Sequence, residues 1–525
     1  MRAPRTWFLG HRRPRVKPGS PPSPGPVTDF TGNAQADAEA IARHLGRPGD
    51  LQRRLLPLSP GPGRSSRTLL VLYLDNLVNV ARLERAVVLP LLEGPPGALD
   101  RPDGLLGVIA AAHVRLVSTV PDAATRLIHG WVMVLGDGWP QAAGIELPDW
   151  PGRAVDEPPS EVVTKGPRTG FVEELRKNLA LLRVTFPTPN LRVQLFSCGK
   201  EPGISVAMVW MEGRTPPERV ERGRILLGRL HDILGPVDIQ TVSELVGRTT
   251  MRVLPLFFQT ERVDRVAAAL REGRIAIFVD RSPFALVAPS TFFMMLTSAE
   301  DYYQPPEVAL ALRLTRMVGF LLALVATPFY IGLVGFNPGV LPTRLAMAVS
   351  ASRQGVPYPA WMEALIMELM MTILVEASVR LPRAIGSAAT VVGGLIIGQA
   401  AAQASLISNL MIIVVAVSAI TSFALPNVEI LYAVRVMKWP MMLAAGLMGL
   451  PGLFVAFVLM TMWMASLRSL DEPYLYPMAP FEGIAVLRDT LLRRRWEILH
   501  PGRYRPQVPP FDAAPTRPAS GEVTP

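Results

Sequence analysis

From Ala384 to Val428 the chain runs 45 residues without one Asp, Glu, Lys, Arg or His. A water-soluble domain of ordinary composition does not carry such a run, because its surface needs charged residues every few positions. A bilayer core takes about 20 apolar residues per helix, so this run holds two spans, with a break near Ser405 to Leu410 where Ser408 and Asn409 interrupt the pattern. Met317 to Phe336 and Trp439 to Leu467 are also free of charge and long enough to cross. The C-terminal part is expected to be polytopic.

Upstream the chain changes character. The first 312 residues are charged and Pro-rich, and they bring the mean hydropathy of the whole down to +0.28. We expect an α/β soluble N-terminal head with two similar subdomains, followed by an all-α polytopic membrane bundle. The expected divisions are a disordered basic arm and lead-in over 1–60, subdomains over 61–155 and 201–312, and a linker and helix over 156–200. A bundle of four to five helices over 313–468 and a basic, partly disordered tail over 469–525 complete the chain. Trp7, Phe8 and Leu9 are too short an apolar island for a signal-peptide core, which leaves the head in the cytoplasm. The single cysteine, Cys198, reads as a small buried side chain and fits a reducing compartment.

The subdomains are inferred from a repeat. Leu70 to Asp75 (LVLYLD) and Val206 to Glu212 (VAMVWME) both read as buried strands ending in an acid. Ala124 to Asp137 and Ala267 to Asp280 share a helix end, a glycine at 130 or 273, an apolar strand and a closing aspartate. Turn and cap roles account for these acids more simply than a ligand site at the strand ends.

Motifs for catalysis are missing. There is no GK[ST] phosphate loop, HExxH, CxxC or GxSxG, and the six histidines have no ligand spacing, so neither an enzyme nor a cofactor is expected. A net charge of +10 raises nucleic acid as a partner, but the arginines are scattered or flank the spans instead of forming a stripe with interleaved aromatics. Arg313, Arg316, Arg468 and Arg493 to Arg495 point to lipid headgroups.

Between the first and second clear spans lies Pro359 to Pro382 (PAWMEALIMELMMTILVEASVRLP), a helical segment with three carboxylates. At 100° per residue Glu368 and Glu376 fall about 80° apart on one face, with Glu363 away from them. Charges at bilayer depth face a bundle interior, a pore or each other, whereas the same helix lying along the interface keeps its acids in water. A crossing helix gives five spans and puts the tail opposite the head; an interfacial or re-entrant one gives four and puts them together. Gln399 and Gln403, one turn apart beside small residues, face other helices or a water-filled path.

Six separated motifs then resemble one family. They are Lys165 to Arg183 (KGPRTGFVEELRKNLALLR), Glu272 to Pro289 (EGRIAIFVDRSPFALVAP), Ser298 to Tyr303 (SAEDYY), and Pro342 to Pro359 (PTRLAMAVSASRQGVPYP). Val379 to Gly386 with Val392 to Ala400, and Ser466 to Phe481 (SLRSLDEPYLYPMAPF), complete the set. In this order they closely resemble the A subunit of GerA-type spore germination receptors. The resemblance implies a multi-pass protein of the spore inner membrane, working with transporter-like B and lipoprotein C subunits. It further implies a homo-oligomeric ring that conducts monovalent cations when a germinant binds, with Glu363, Glu368, Glu376, Gln399 and Gln403 as candidates for the ion path or gate and Arg353 for head–bundle coupling. Family members commonly carry another acid where Thr372 stands, an Arg at Val375, a Glu at Gln403 and a Gly at Arg281. The A-subunit-like protein encoded with the spore dipicolinate channel shares the motifs. A non-conducting scaffold and a secondary transporter component are the alternatives to a channel.

Overall fold

β2 (Arg67–Leu74) and β4 (Trp131–Gly136) are the most apolar runs of the N-terminal region, and they lie side by side in the middle of its sheet. With β1 (Leu51–Leu58), β3 (Val114–Val117) and β5 (Ala142–Glu146) they make an antiparallel sheet of order β1-β2-β4-β5-β3. Helices Ala34–His44 and Val120–Leu127 pack against this sheet, burying Ile41, Ala42, Ala123 and Leu127. The computed structural model describes residues 29–58, 67–95, 98–149, 158, 160, 161, 163–199, 203–232, 238–246, 253–380, 394, 398–470, 472–479 and 481. Residues up to 149 form one unit and the remainder a second.

The second unit opens with the same design. β6 (Leu191–Cys198), β7 (Ile204–Met211), β8 (Phe258–Thr260), β9 (Ile275–Val279) and β10 (Ala285–Ala288) follow the order β6-β7-β9-β10-β8, the first sheet's order position for position. Gly130 and Gly273, each one or two residues before a central strand, both have φ of +80°, a conformation that needs no side chain. Asp137 accepts a hydrogen bond from the Ala34 amide at 3.0 Å, and Asp280 accepts one from the Leu175 amide at 3.1 Å. The two aspartates therefore satisfy the exposed amides at the starts of helices Ala34–His44 and Leu175–Thr185, as a cap does.

Those caps correct the expected divisions. Helix Ala34–His44 and β1 lie within the stretch assigned to a lead-in arm, and helix Leu175–Thr185 and β6 within the linker, yet all four are elements of the two repeats. The edge strand β1 buries only Leu56 and β6 buries only some of its positions, so both lack the continuous apolar run by which a central strand is recognised. Residues 1–28 and 482–525, including Arg493 to Arg495, lie outside the described residues.

Downstream the second unit becomes helical. Among the described residues two helices, Pro306–Gly335 and Val428–Ser466, are long and apolar enough to cross a membrane by length and composition, each containing an 18-residue stretch with a mean hydropathy of 2.2. Between them lie helices Thr343–Ser352, Ala360–Arg380 and Asn409–Phe423. Asn409–Phe423 runs antiparallel to Pro306–Gly335, with Ser408 beside Tyr330 at one end and the Thr421 carbonyl against Gly319 at the other. The chain breaks before it, at Ser405 (φ +55°), and Ser408 caps the Met411 amide. Residues 381–393 and 395–397, which carry most of the first span expected in the charge-free run, lie outside the described residues.

Val428–Ser466 is not one straight rod. At 1.5 Å per residue its 39 residues would extend about 58 Å, yet both ends meet the same segment of the α/β domain: Glu429 and Tyr432 line a cavity with Leu256, and Ser469 donates to the Leu256 carbonyl. The reversal is at Gly449, with φ of 67° and ψ of −147°. The helix therefore consists of two arms, 428–448 and 450–466, where a single span from Trp439 to Leu467 was expected. Beyond the second arm the chain returns to the α/β domain: Ser469 accepts from the Ser290 amide, the Tyr474 carbonyl accepts from the Phe292 amide, each at 2.9 Å, and Glu472 pairs with Arg219. The start of the expected tail is thus part of the fold.

Candidate functional site

Ala360–Arg380 has no clean apolar stripe, since Trp361, Leu365, Leu369 and Ile373 are exposed while Ala364 and Met367 are buried. Its acids separate accordingly. Glu363 is fully buried; its carboxylate pairs with Arg353 at 3.1 Å and accepts the Ser408 amide at 3.0 Å. Arg353 follows helix Thr343–Ser352, where Gly355 (φ +88°) turns the chain, and its guanidinium also reaches the Tyr358 carbonyl at 3.3 Å. Tyr330 and Ser408 share a hydrogen bond at 3.4 Å beside this pair. Glu363 thereby ties three segments together: the 353–358 turn, its own helix and the start of Asn409–Phe423.

Glu368 lies five residues on, about 140° around the helix. One carboxylate oxygen accepts from the Lys438 ammonium at 2.6 Å and from the Thr327 hydroxyl at 3.1 Å. Lys438 also donates to the Ser418 hydroxyl at 2.7 Å, and Ser418 donates to the Ala323 carbonyl at 2.9 Å. Four helical segments therefore each supply one polar side chain to a single cluster. Thr327 and Ser418 are 0% and 1% exposed, so in this apolar surrounding the ion pair is little screened by water. Leaving either charge without its partner there is costly.

The other expected residues do not converge on this cluster. Glu376 is exposed, so the stripe predicted for Glu368 and Glu376 is not a shared environment; on this helix Glu363 is buried and Glu368 partly buried. Gln399 and Gln403 are exposed on the helical turn before the Ser405 break. Arg353 sits at the level of Tyr330, about 17 residues along Pro306–Gly335 from Arg313, which is roughly 25 Å of helix. Arg353 therefore stands near the opposite end of Pro306–Gly335 from the Arg313–Asp301 pair. Among the described residues, no group of three or more His, Cys, Asp or Glu side chains is placed to hold a metal ion.

The junction with the α/β domain is built elsewhere, from the SAEDYY and SLRSLDEPYLYP motifs. Asp301, fully buried, accepts from Arg316 at 2.7 Å and from Arg313 at 3.2 Å, and it closes a capping box with Ser298. Phe292 packs edge-on against Phe320 with ring centroids 4.9 Å apart. Arg313 and Arg316 thus bind a protein carboxylate, where headgroup contacts were expected. Ser418 and Thr327 were not singled out from the sequence. The signal available was the start of the first arm: Lys438 stands ten residues inside a helix that starts at Val428, too deep for a flanking charge.

Residues 39–507 match the family model described as Bacillus/Clostridium GerA spore germination protein. The chain is 33% identical over 439 residues to spore germination protein KA of Bacillus subtilis (strain 168), covering 82% of this chain and 79% of that protein. It is 32% identical over 460 residues to spore germination protein GerLA of Bacillus cereus, covering 87% and 92%. A crystal structure of the N-terminal domain of the A subunit of the Bacillus megaterium spore germinant receptor GerK3 aligns with a TM-score of 0.37 and 20% identity, over 51% of this chain and 98% of that one.

Proposed function

The chain belongs to the GerA family of spore germination proteins, and from that premise we propose that it is the membrane subunit through which a germinant receptor passes monovalent cations. Its place is in spore germination, and it is not an enzyme. In the proposed arrangement several copies assemble in the spore inner membrane with B and C subunits, the α/β region stands in the cytoplasm, and the helical region forms the conducting part. The observation that carries this reading is the Glu368 cluster, a carboxylate and two hydroxyls enclosed by apolar helices, which is the chemistry a cation needs to leave water.

One observation favours a non-conducting scaffold: Glu363 and Glu368 already have basic partners, Arg353 and Lys438, and paired charges hold helices together without passing ions. Cation efflux from liposomes separates the two. Full-length protein reconstituted with its B and C subunits is expected to conduct when a germinant mixture is added, and Glu368→Gln is expected to alter the flux at least several-fold, whereas Glu376→Gln leaves it near wild type. A complex that stays silent with germinant supports the scaffold; conduction indifferent to Glu368→Gln puts the path elsewhere.

A further inference from the structure

The two buried ion pairs differ in what their bases do. Arg353 presents a planar guanidinium to Glu363, which is also fixed by a backbone amide from Ser408, so the pair is built into the chain path. Lys438 reaches Glu368 on a flexible four-carbon stem, and none of the contacts at Glu368 that join helices involves backbone. The ammonium is held by oxygens alone, the Glu368 carboxylate at 2.6 Å and the Ser418 hydroxyl at 2.7 Å, with the Thr327 hydroxyl on the same carboxylate oxygen at 3.1 Å. A carboxylate and a hydroxyl are oxygen ligands that an alkali ion also accepts, so their chemistry does not distinguish a bound ammonium from a bound alkali ion.

We propose that Glu368 and Ser418, with Thr327 orienting the carboxylate, form a monovalent-cation site and that Lys438 is its tethered occupant. Binding of a free cation and the Lys438 contact are then mutually exclusive, because one carboxylate in an apolar surrounding neutralises one positive charge. Withdrawal of the Lys438 side chain vacates the site, and its return excludes the ion. Two helices contribute the ligands, a third the hydroxyl that orients the carboxylate and a fourth the plug, so a relative shift of arm 428–448 against the helices that carry Glu368 and Ser418 is sufficient to exchange them. As a statement about ion passage this rests on the channel reading above; as a statement about binding it does not.

The test therefore has two readouts. Purified full-length Lys438→Met is heated in detergent with rubidium chloride or with N-methylglucamine chloride. We expect its melting temperature to rise by several degrees in rubidium alone, the wild type to show no such difference, and Lys438→Met/Glu368→Gln to lose it. Lys438→Gln serves if the methionine variant does not fold. In liposomes with B and C subunits, Lys438→Met is expected to leak rubidium at least tenfold faster than wild type without germinant, and Lys438→Arg to stay closed. Absence of a rubidium-specific shift in both lysine variants overturns the site. A shift without any flux in wild type or variants keeps the site and overturns the channel reading. A leak that persists unchanged in the double variant overturns the role of Glu368.

Discussion

At the scale of single residues, burial decides which charges matter. Glu363 and Arg353 are each other's main compensation, so Arg353→Ala leaves a carboxylate enclosed without its cation. Removing one partner of such a pair costs about 3 to 5 kcal/mol, while replacing both with apolar residues of similar volume is close to neutral. Arg353→Ala is therefore expected to melt many degrees below wild type in detergent, and Arg353→Met/Glu363→Met to recover most of the loss; equal melting of the single and double variants contradicts the pairing. Cys198 is fully buried, and burial pushes its thiol up to about 11. The raised value leaves it protonated at neutral pH, and its thiolate appears only as the pH climbs toward that value. Maleimide at pH 7.5 is expected to label folded protein far more slowly than protein unfolded in denaturant, a ratio that mass spectrometry measures directly.

At the scale of elements, the arms of Val428–Ser466 depend on one residue with no side chain. A Cβ on Gly449 would stand 2.6 Å from Phe336 Cβ and 2.8 Å from Asn337 Oδ1, in a conformation with φ of +67°. Asn337 also receives the Leu450 amide at 3.2 Å, so the end of Pro306–Gly335 caps the start of the second arm. Gly449→Ala is expected to destabilise severely, and Asn337→Ala by about 1 kcal/mol, the usual loss for a cap. Thermal melts in detergent check both, and a Gly449→Ala protein as stable as wild type would show that the reversal is not as tight as described. The repeats obey the same logic: helices Ala34–His44 and Leu175–Thr185 start where an aspartate more than a hundred residues downstream can cap them.

At the scale of the whole molecule, the contacts of Ser469, Glu472 and Tyr474 with Ser290, Arg219 and Phe292 bind the segment after the last arm to the second α/β domain. In the membrane arrangement proposed above, that segment and that domain share one side, so the count of crossings between them is even. Reporters fused near Ser197 and after Pro480 are expected to respond identically to a membrane-impermeant reagent in intact vesicles. Opposite responses would contradict the docked segment.

The apolar character of the C-terminal half, the break near Ser405, the repeat and the acids of Ala360–Arg380 were all legible in the sequence, because each is a property of consecutive residues or of helical spacing. Charge-free runs of bilayer length, and an aspartate after an apolar strand, carry their meaning locally. The partners were not legible. Lys438 meets Glu368 across 70 residues and Arg353 meets Glu363 only because Gly355 turns the chain back. Gly449 looks like any small residue in an apolar run until Phe336 and Asn337 are brought against it. What the sequence by itself determined was the medium each segment prefers and the repeat of its elements. The tertiary structure alone decided which charges face inward and which carboxylate holds which cation, since a buried charge is stabilised by groups distant in the chain and close in space.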